Sequence, residues 1–254
     1  MLLRILDLYS GIGGFSLAFE RVNPEAFRTH AFCEIDKHAQ QVLRKHWPLT
    51  PIFEDITKLN GNIFRNRIDI ICGGSPCQDV SIAGKQKGLV DENGEITRSG
   101  LWVHYKRIIE EIRPKYVIIE NVANLRNKGL ATFIKDLSEI GYDCEWEIIS
   151  ARDVGAPHLR ERIWIVAYPS NANNFRFWPT FATQEEKSEW WTKTASKFGT
   201  WWETEPEICR VANGLSGQME RNRREQIKRL GNAIVPSIVE IIAQRILEIE
   251  NGYK

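Results

Sequence analysis

Asp7-Leu8-Tyr9-Ser10-Gly11-Ile12-Gly13-Gly14-Phe15 ends a short apolar run near the start of the chain and puts three glycines into four positions. Glycine accepts left-handed backbone and carries no Cβ, so this run predicts a tight turn at the carboxyl end of a strand, where a ligand can approach the main chain. The spacing is not G-x-G-x-x-G and offers no phosphate cradle at a helix start, which favours an adenosyl ligand without phosphates over a dinucleotide.

Working outward, short β-branched runs alternate with amphipathic stretches up to about residue 168. Strands are expected at 4–9, 29–34, 52–55, 68–73, 115–120, 144–150 and 162–168, and helices at 15–21, 36–47, 101–112 and 130–140. That alternation predicts an α/β fold with a mostly parallel sheet covered by helices on both faces. After Tyr168 the sequence turns to Asn, Thr and Trp, with Trp178, Trp190, Trp191, Trp201 and Trp202 and no clear period, so a small separate module is expected there with the tryptophans as its core. From Val235-Pro236-Ser237 onward, Ile238, Val239, Ile241, Ile242, Ile246 and Ile249 mark a last helix with proline in its first turn, expected to return to the main domain. The expected division is therefore 1–168, 169–224 and 225–254.

The composition is that of an ordinary globular protein: 254 residues, 43% hydrophobic and 26% charged, enough to bury roughly 70–75% of the unfolded surface. The first apolar residues are too few for a signal peptide or a membrane span, so a cytoplasmic protein with no membrane partner is expected. Five cysteines, Cys33, Cys72, Cys77, Cys144 and Cys209, form no C-x-x-C pair, which argues against a disulfide framework or a zinc site and predicts reduced thiols and no metal. The net charge of +1 makes no general case for nucleic acid, although Arg210, Arg221, Arg223, Arg224, Lys228 and Arg229 outnumber Glu220 and Glu225 in one stretch.

Two acids sit where strands end. Glu34 follows Gly14 by 20 residues and can accept hydrogen bonds from two ribose hydroxyls, and Asp55, after the third strand, can accept from an adenine amino group. The fourth strand runs into Gly73-Gly74-Ser75-Pro76-Cys77-Gln78-Asp79-Val80-Ser81, which sets a thiol on an irregular loop beside the expected ligand. Cys72, on the strand itself, reads as a small buried hydrophobe. Cys77, flanked by Pro, Gln and Asp, reads as a nucleophile.

With Asp7–Phe15, Glu34-Ile35-Asp36, Asp55-Ile56, Gly74-Ser75-Pro76-Cys77-Gln78, Glu120-Asn121-Val122, Arg160-Glu161-Arg162 and Gly231-Asn232-Ala233-Ile234-Val235-Pro236 in this order, the chain resembles the cytosine-C5 DNA methyltransferases over nearly everything outside 169–207. The resemblance implies the S-adenosylmethionine-dependent methyltransferase fold, a Rossmann-like sheet of seven strands with a small recognition domain. It implies methyl transfer from S-adenosylmethionine to C5 of a flipped-out cytosine in duplex DNA, leaving S-adenosylhomocysteine. Cys77 would add to C6, Glu120 would hold or donate a proton at N3, Arg162 would bind the cytosine O2, and Arg160 would make neighbouring phosphate or loop contacts.

For the cofactor, the resemblance puts Gly11, Gly13, Gly14, Phe15, Glu34, Ile35, Asp55, Ile56, Pro76 and Leu101 around the adenosyl group, and Asn232 and Val235 beside the methionine end. Gln78, Ser81, Arg98 and Arg210 are the expected DNA contacts, the first two near the flipped nucleotide, within a polar, glycine-containing stretch suited to closing over DNA. The sequence departs from the family's pattern at His158, where glutamine is usual. The stretch available for reading DNA, 169–224, is short, and its base-reading residues are not singled out by sequence. A monomer is expected, with a cognate restriction endonuclease as a functional rather than physical partner. Two other functions compete: a tRNA cytosine-C5 methyltransferase, whose usual Cys-Phe-Thr is absent because Arg210 follows Cys209, and a catalytically silent DNA-binding relative.

Overall fold

A computed structural model describes residues 1–74, 101–172, 176–198 and 234–252. Its centre is a seven-stranded sheet of β1 (Leu3–Leu8), β2 (Phe27–Cys33), β3 (Ile52–Phe53), β4 (Ile70–Gly74), β5 (Tyr116–Val122), β6 (Tyr142–Ile149) and β7 (Arg162–Pro169), in the order β3-β2-β1-β4-β5-β7-β6. Neighbours from β3 to β5 pair in parallel. β7 runs antiparallel to both β5 and β6.

The central strands are buried on both faces, which is why they read as continuous apolar runs. Successive side chains nevertheless divide between two cores, as a two-residue period requires. Ile5, Ile70, Ile118, Trp164 and Val166 face one side, with Phe15 and Phe19 of α1 (Gly14–Val22). Leu6, Ile71, Val117, Ile119, Ile163 and Ile165 face the other, with Tyr105 and Ile109 of α3 (Trp102–Ile112) and Phe133 of α5 (Leu130–Glu139). A short helix, α4 (Leu125–Lys128), separates β5 from α5. Asp36 caps α2 (Lys37–His46) by accepting from the amides of His38 at 2.9 Å and Ala39 at 2.8 Å.

The Trp-rich segment differs from its sequence expectation. Residues 184–195 form a helix, α6 (Gln184–Ala195), started by Thr183, whose hydroxyl accepts from the Glu186 amide at 3.1 Å, with Glu185 and Glu186 in its first turn and Lys193 in its last. Its apolar stripe is narrow, with Trp191, Thr194 and Ala195 buried, so hydrophobic period alone does not reveal it. Phe177, Trp178 and Trp191 join the same core as Phe15 and Trp164 rather than building a core of their own. The last helix, α7 (Pro236–Glu250), starts with its proline as expected and packs on α1.

Gly73 is the β4 residue paired with Leu8, and a Cβ there would run into the Leu8 carbonyl oxygen. Gly73→Ala is expected to destabilise the fold by about 3 kcal/mol, the upper range for overpacking, because the obstacle is backbone in the sheet centre. Urea unfolding followed by tryptophan fluorescence measures this; an unchanged midpoint would refute the packing described.

Candidate active site

The carboxyl edge of the sheet carries two groups of polar residues. The first surrounds the glycine turn. Tyr9 at φ 52°, Gly11 at 55° and Gly13 at 85° all take left-handed backbone, and they swing the chain from β1 into α1. The turn closes with the Gly13 amide donating to the Ser10 carbonyl at 2.9 Å and the Ser10 hydroxyl donating to the Asp7 carbonyl at 2.6 Å. A Cβ on Gly13 would sit 2.6 Å from the Trp47 ring, so glycine is required there by packing as well as by φ.

Glu34 joins this turn to the next strand end. Its Oε2 accepts from the Gly11 amide at 2.7 Å and its Oε1 from the Asp36 amide at 2.7 Å, while the side-chain amide of Gln40 donates to its carbonyl at 2.7 Å. Burial pushes the Glu34 carboxyl up, and the two amide donors pull it back. Beside it, Ile35 is 72% exposed, an apolar side chain left standing in solvent at the mouth of the turn. Asp55, half-buried, accepts from the amide of Thr57 at 2.9 Å and its hydroxyl at 2.7 Å, which holds its carboxyl below the ordinary range.

Ile56 is buried, and its carbonyl accepts from Arg107 at 2.8 Å. Phe15 is buried edge-on to Trp164, with ring centroids 5.9 Å apart. The carbonyl of Leu101 accepts from the Tyr9 hydroxyl at 3.1 Å, tying the start of α3 to the glycine turn. From the other side, a Cβ on Gly14 would lie 2.7 Å from Ile234, next to buried Val235. The residues fit an adenosyl ligand: among the described residues nothing lies within 4 Å of where a Gly11 Cβ would be, and near that space stand the Glu34 carboxylate, the uncovered Ile35 side chain and Asp55.

Asp7 lies beneath the turn with no exposed surface. Its Oδ2 accepts from the Ser16 hydroxyl at 2.9 Å, and its Oδ1 is buried without a hydrogen-bond partner. Burial raises this carboxyl to about 8, which keeps it neutral through much of the physiological range. Sequence reading used Asp7 only as the end of a strand; an acid on the inward face of an apolar run was the available signal.

The second group is built by strand direction. Because β7 is antiparallel, its first residues lie at the carboxyl edge of the parallel strands, where Arg162 pairs with Val122 of β5 and Ile149 of β6. Arg162 Nε stands 3.0 Å from Glu120 Oε1, and Glu120, in register with Gly74, is only 9% exposed. Burial pushes the Glu120 carboxyl up, while Arg162 and then Arg160 oppose the rise. Burial also lowers the Arg160 guanidinium, with Arg162 adding to the effect. The loop before β7 is fixed by a capping box, with the Ser150 amide donating to Asp153 at 2.8 Å and the Ala151 amide to the Arg160 carbonyl at 3.2 Å.

Glu120, Arg160 and Arg162 thus stand together at the carboxyl edge, and His158 is exposed on the loop that carries Arg160. Pro76, Cys77, Gln78, Ser81, Arg98, Arg210 and Asn232 lie outside the described residues. Cys72 is buried on β4, and Cys33, Cys72 and Cys144 are free thiols. Among the described residues no cluster of His, Cys, Asp or Glu could hold a metal ion, and no helix is long and apolar enough to cross a membrane.

The carboxyl edge of the seven-stranded sheet thus carries a glycine turn flanked by strand-end acids and, beside the reversed β7, a buried glutamate paired with arginine. Residues 3–209 match the family model for C-5 cytosine-specific DNA methylases, and the chain belongs to that family. It is 36% identical over 181 residues to the Type II methyltransferase M.HhaI of Haemophilus parahaemolyticus, covering 69% of this chain and 52% of that protein. It is also 36% identical to the Type II methyltransferase M.CviJI of Paramecium bursaria Chlorella virus IL3A, over 66% of this chain and 43% of that one. The chain therefore spans about half the length of these relatives. Among solved structures, a putative DNA modification methyltransferase encoded within an E. coli prophage superposes with a TM-score of 0.54 at 27% identity, over 71% of this chain and 52% of the other.

The raised Asp7 carboxyl has a signed consequence. Its unfolded value is near 3.8 and its folded value about 8, so neutral Asp7 favours the folded state fully below the lower value. That contribution is lost as pH rises through the window between the two. Asp7→Asn, which stays neutral, is expected to gain in urea midpoint relative to the wild type as pH goes from about 4 to about 8. Parallel pH profiles for the two proteins would contradict the burial of a protonated carboxyl.

Proposed function

We infer that this protein transfers a methyl group from S-adenosylmethionine to C5 of a cytosine in duplex DNA. The observation that carries the reading is the buried Glu120 carboxyl, held 3.0 Å from Arg162 at the carboxyl edge of the sheet, in register with Gly74. Cys77 follows Gly74 by three residues in the sequence. Membership of the C-5 cytosine-specific family supports the same chemistry.

C5 of cytosine is a poor nucleophile, so the ring must first be activated. The Cys77 thiolate adds to C6, and electron density moves toward C5 and N3. Glu120, pushed by burial toward its protonated form, donates its proton to N3 and removes the negative charge that the addition creates. Arg162 holds Glu120 in orientation with one part of its guanidinium and has further donors for the cytosine O2. S-adenosylmethionine supplies the electrophilic methyl on its sulfonium, and C5 takes it. Loss of the C5 proton to water, expulsion of the thiolate and return of the N3 proton to Glu120 then restore the aromatic ring and free Cys77.

Glu34 would hold the ribose, with Asp55 and Ile35 at the adenine and the Gly11–Gly14 turn against the methionine end, where Val235 closes one side. A base stacked in a duplex cannot meet Cys77, so the target is extruded at a cost of a few kcal/mol, recovered in contacts to the unpaired base and its flanking phosphates. Gln78, Ser81, Arg98 and Arg210 are the proposed DNA contacts, with the sequence-reading region in 169–224. The protein is proposed to act in the cytoplasm as a monomer, in functional pairing with a restriction endonuclease.

Two variants test the reading. Cys77→Ala is expected to lose methyl transfer from labelled S-adenosylmethionine by at least about a thousandfold while still binding duplex DNA. Glu34→Ala is expected to weaken cofactor affinity about tenfold or more through loss of the ribose acceptor, with duplex affinity retained. Wild-type activity in Cys77→Ala, or label entering tRNA but not DNA, would overturn the assignment.

A further inference from the structure

We propose that Asp7 is the group by which this protein tells its charged methyl donor from the neutral product: the buried carboxyl gives up its proton when S-adenosylmethionine binds and keeps it when S-adenosylhomocysteine binds. The inference rests on the functional reading above and adds a specificity-determining residue to the cofactor site. Asp7 stands in the middle of the sheet, level with Phe32 of β2 on one side and Cys72 of β4 on the other, and has no exposed surface. Both ends of the glycine turn close on it. The Ser10 hydroxyl donates to its carbonyl at 2.6 Å, and the Ser16 hydroxyl, from the first turn of α1, donates to its Oδ2 at 2.9 Å. Its Oδ1 is buried as well, and among the described residues no group donates to it.

The surroundings of Asp7 carry one sign of charge. Titratable groups face it from four elements: Cys33 and Glu34 at the end of β2, Glu20 of α1, Cys72 of β4 and Tyr105 of α3, each of which can only be neutral or negative. The two carboxylates among them are held by uncharged donors. Glu34 accepts from the Gly11 and Asp36 amides at 2.7 Å, and Glu20 from the Thr29 hydroxyl at 2.7 Å and the Trp47 indole at 2.8 Å. Among the described residues no lysine, arginine or histidine forms an ion pair with Asp7, Glu20 or Glu34. Other buried carboxyls are treated differently: Glu240, also without exposed surface, has Arg21 Nε at 3.4 Å, and Glu120 has Arg162 Nε at 3.0 Å. Asp7 is thus the wholly buried carboxyl that the described cations of the chain leave unanswered.

The two forms of the cofactor share the adenosyl group and the amino-acid end, and differ by one methyl and one positive charge on sulfur. The functional reading sets that sulfur end against the Gly11–Gly14 turn, which lies over Asp7. A cation brought there favours the ionised carboxyl, whereas burial favours the neutral one; the thioether of the product brings no cation. Burial raises Asp7 to about 8 in the free protein, so near neutral pH the carboxyl is protonated before S-adenosylmethionine binds and ionised afterwards, with the proton passing to solvent. Release on binding means that affinity for the methyl donor rises with pH up to about 8, by up to about tenfold per pH unit, while affinity for the product does not.

The test is isothermal titration of the protein with S-adenosylmethionine and, separately, with S-adenosylhomocysteine near neutral pH, in phosphate and in Tris. The two buffers differ in ionisation heat, so the difference in binding heat counts the protons released. Asp7→Asn, neutral at every pH, is the reference and cancels any proton that the ligand's own amino group exchanges. The wild type is expected to release about one proton more than Asp7→Asn with S-adenosylmethionine and no more than Asp7→Asn with S-adenosylhomocysteine. Ser16→Ala removes the hydroxyl that favours the ionised form and should move the release to higher pH, a readout that remains if Asp7→Asn does not fold. Equal proton counts in wild type and Asp7→Asn, with both ligands bound, would overturn the inference and leave the proposed function standing, whether or not Asp7→Asn binds both ligands more weakly. Extra release with both ligands alike would also overturn it, since the charge on sulfur would then play no part. Failure of the wild-type protein to bind either ligand would instead sink the functional reading.

Discussion

One buried carboxyl sets the terms for the rest of the molecule. Glu120 is taken out of water by the sheet around it, and two guanidiniums stand close enough to oppose its protonation without abolishing the effect of burial. Isolated, a carboxylate there would be too costly; without burial, an acid beside two arginines would be fully ionised and useless as a proton donor. The balance depends on a single feature of topology. If β7 ran parallel to its neighbours, its carboxyl end would lie beside Glu120, and Arg160 and Arg162 would arrive at the opposite edge of the sheet. The reversed strand is therefore what brings both arginines to the buried carboxyl.

The glycine turn and the Glu120–Arg162 pair share one edge of the sheet. β1 and β4 are adjacent, with Leu8 against Gly73, so the glycine turn starts beside the end of β4. Glu34 stitches the turn to β2 through the Gly11 and Asp36 amides, and the Tyr9 hydroxyl stitches it to the start of α3. Asp7 below them, pushed up to about 8 by burial, accepts from the Ser16 hydroxyl. These bonds fix the turn against two neighbouring elements, and under the proposed reaction that holds the methyl donor at a set separation from the base.

Much of this was legible in the residues. The parallel strands announce themselves because burial on both faces forces unbroken apolar runs such as Tyr116–Ile119, and the seven-stranded α/β expectation agrees with the observed sheet. Ends shifted by a residue or two, as with β2, which begins at Phe27 rather than 29, because pairing and not propensity decides where a strand starts. The direction of β7 could not be read from its own sequence. α6 escaped because its signal is polar: a Thr183 cap, early glutamates and a late lysine around a stripe of three buried residues. Trp178 and Trp191 were misassigned to a core of the module's own for a related reason, while Trp201 and Trp202 lie outside the described residues. Composition says that an indole is buried but not against what, and Trp178 and Trp191 are buried against the main sheet's own layer.

The account stands or falls on a covalent bond between Cys77 and carbon 6 of the target base. A duplex that the wild-type protein methylates, synthesised with 5-fluorocytosine at the target position, should stop the reaction after methyl transfer, because the fluorine cannot leave as a cation. Mass spectrometry of the digested complex should then find the nucleotide on the peptide containing Cys77, and only when S-adenosylmethionine is present. Cofactor and duplex both bound, with no adduct or with the adduct on another residue, would contradict it.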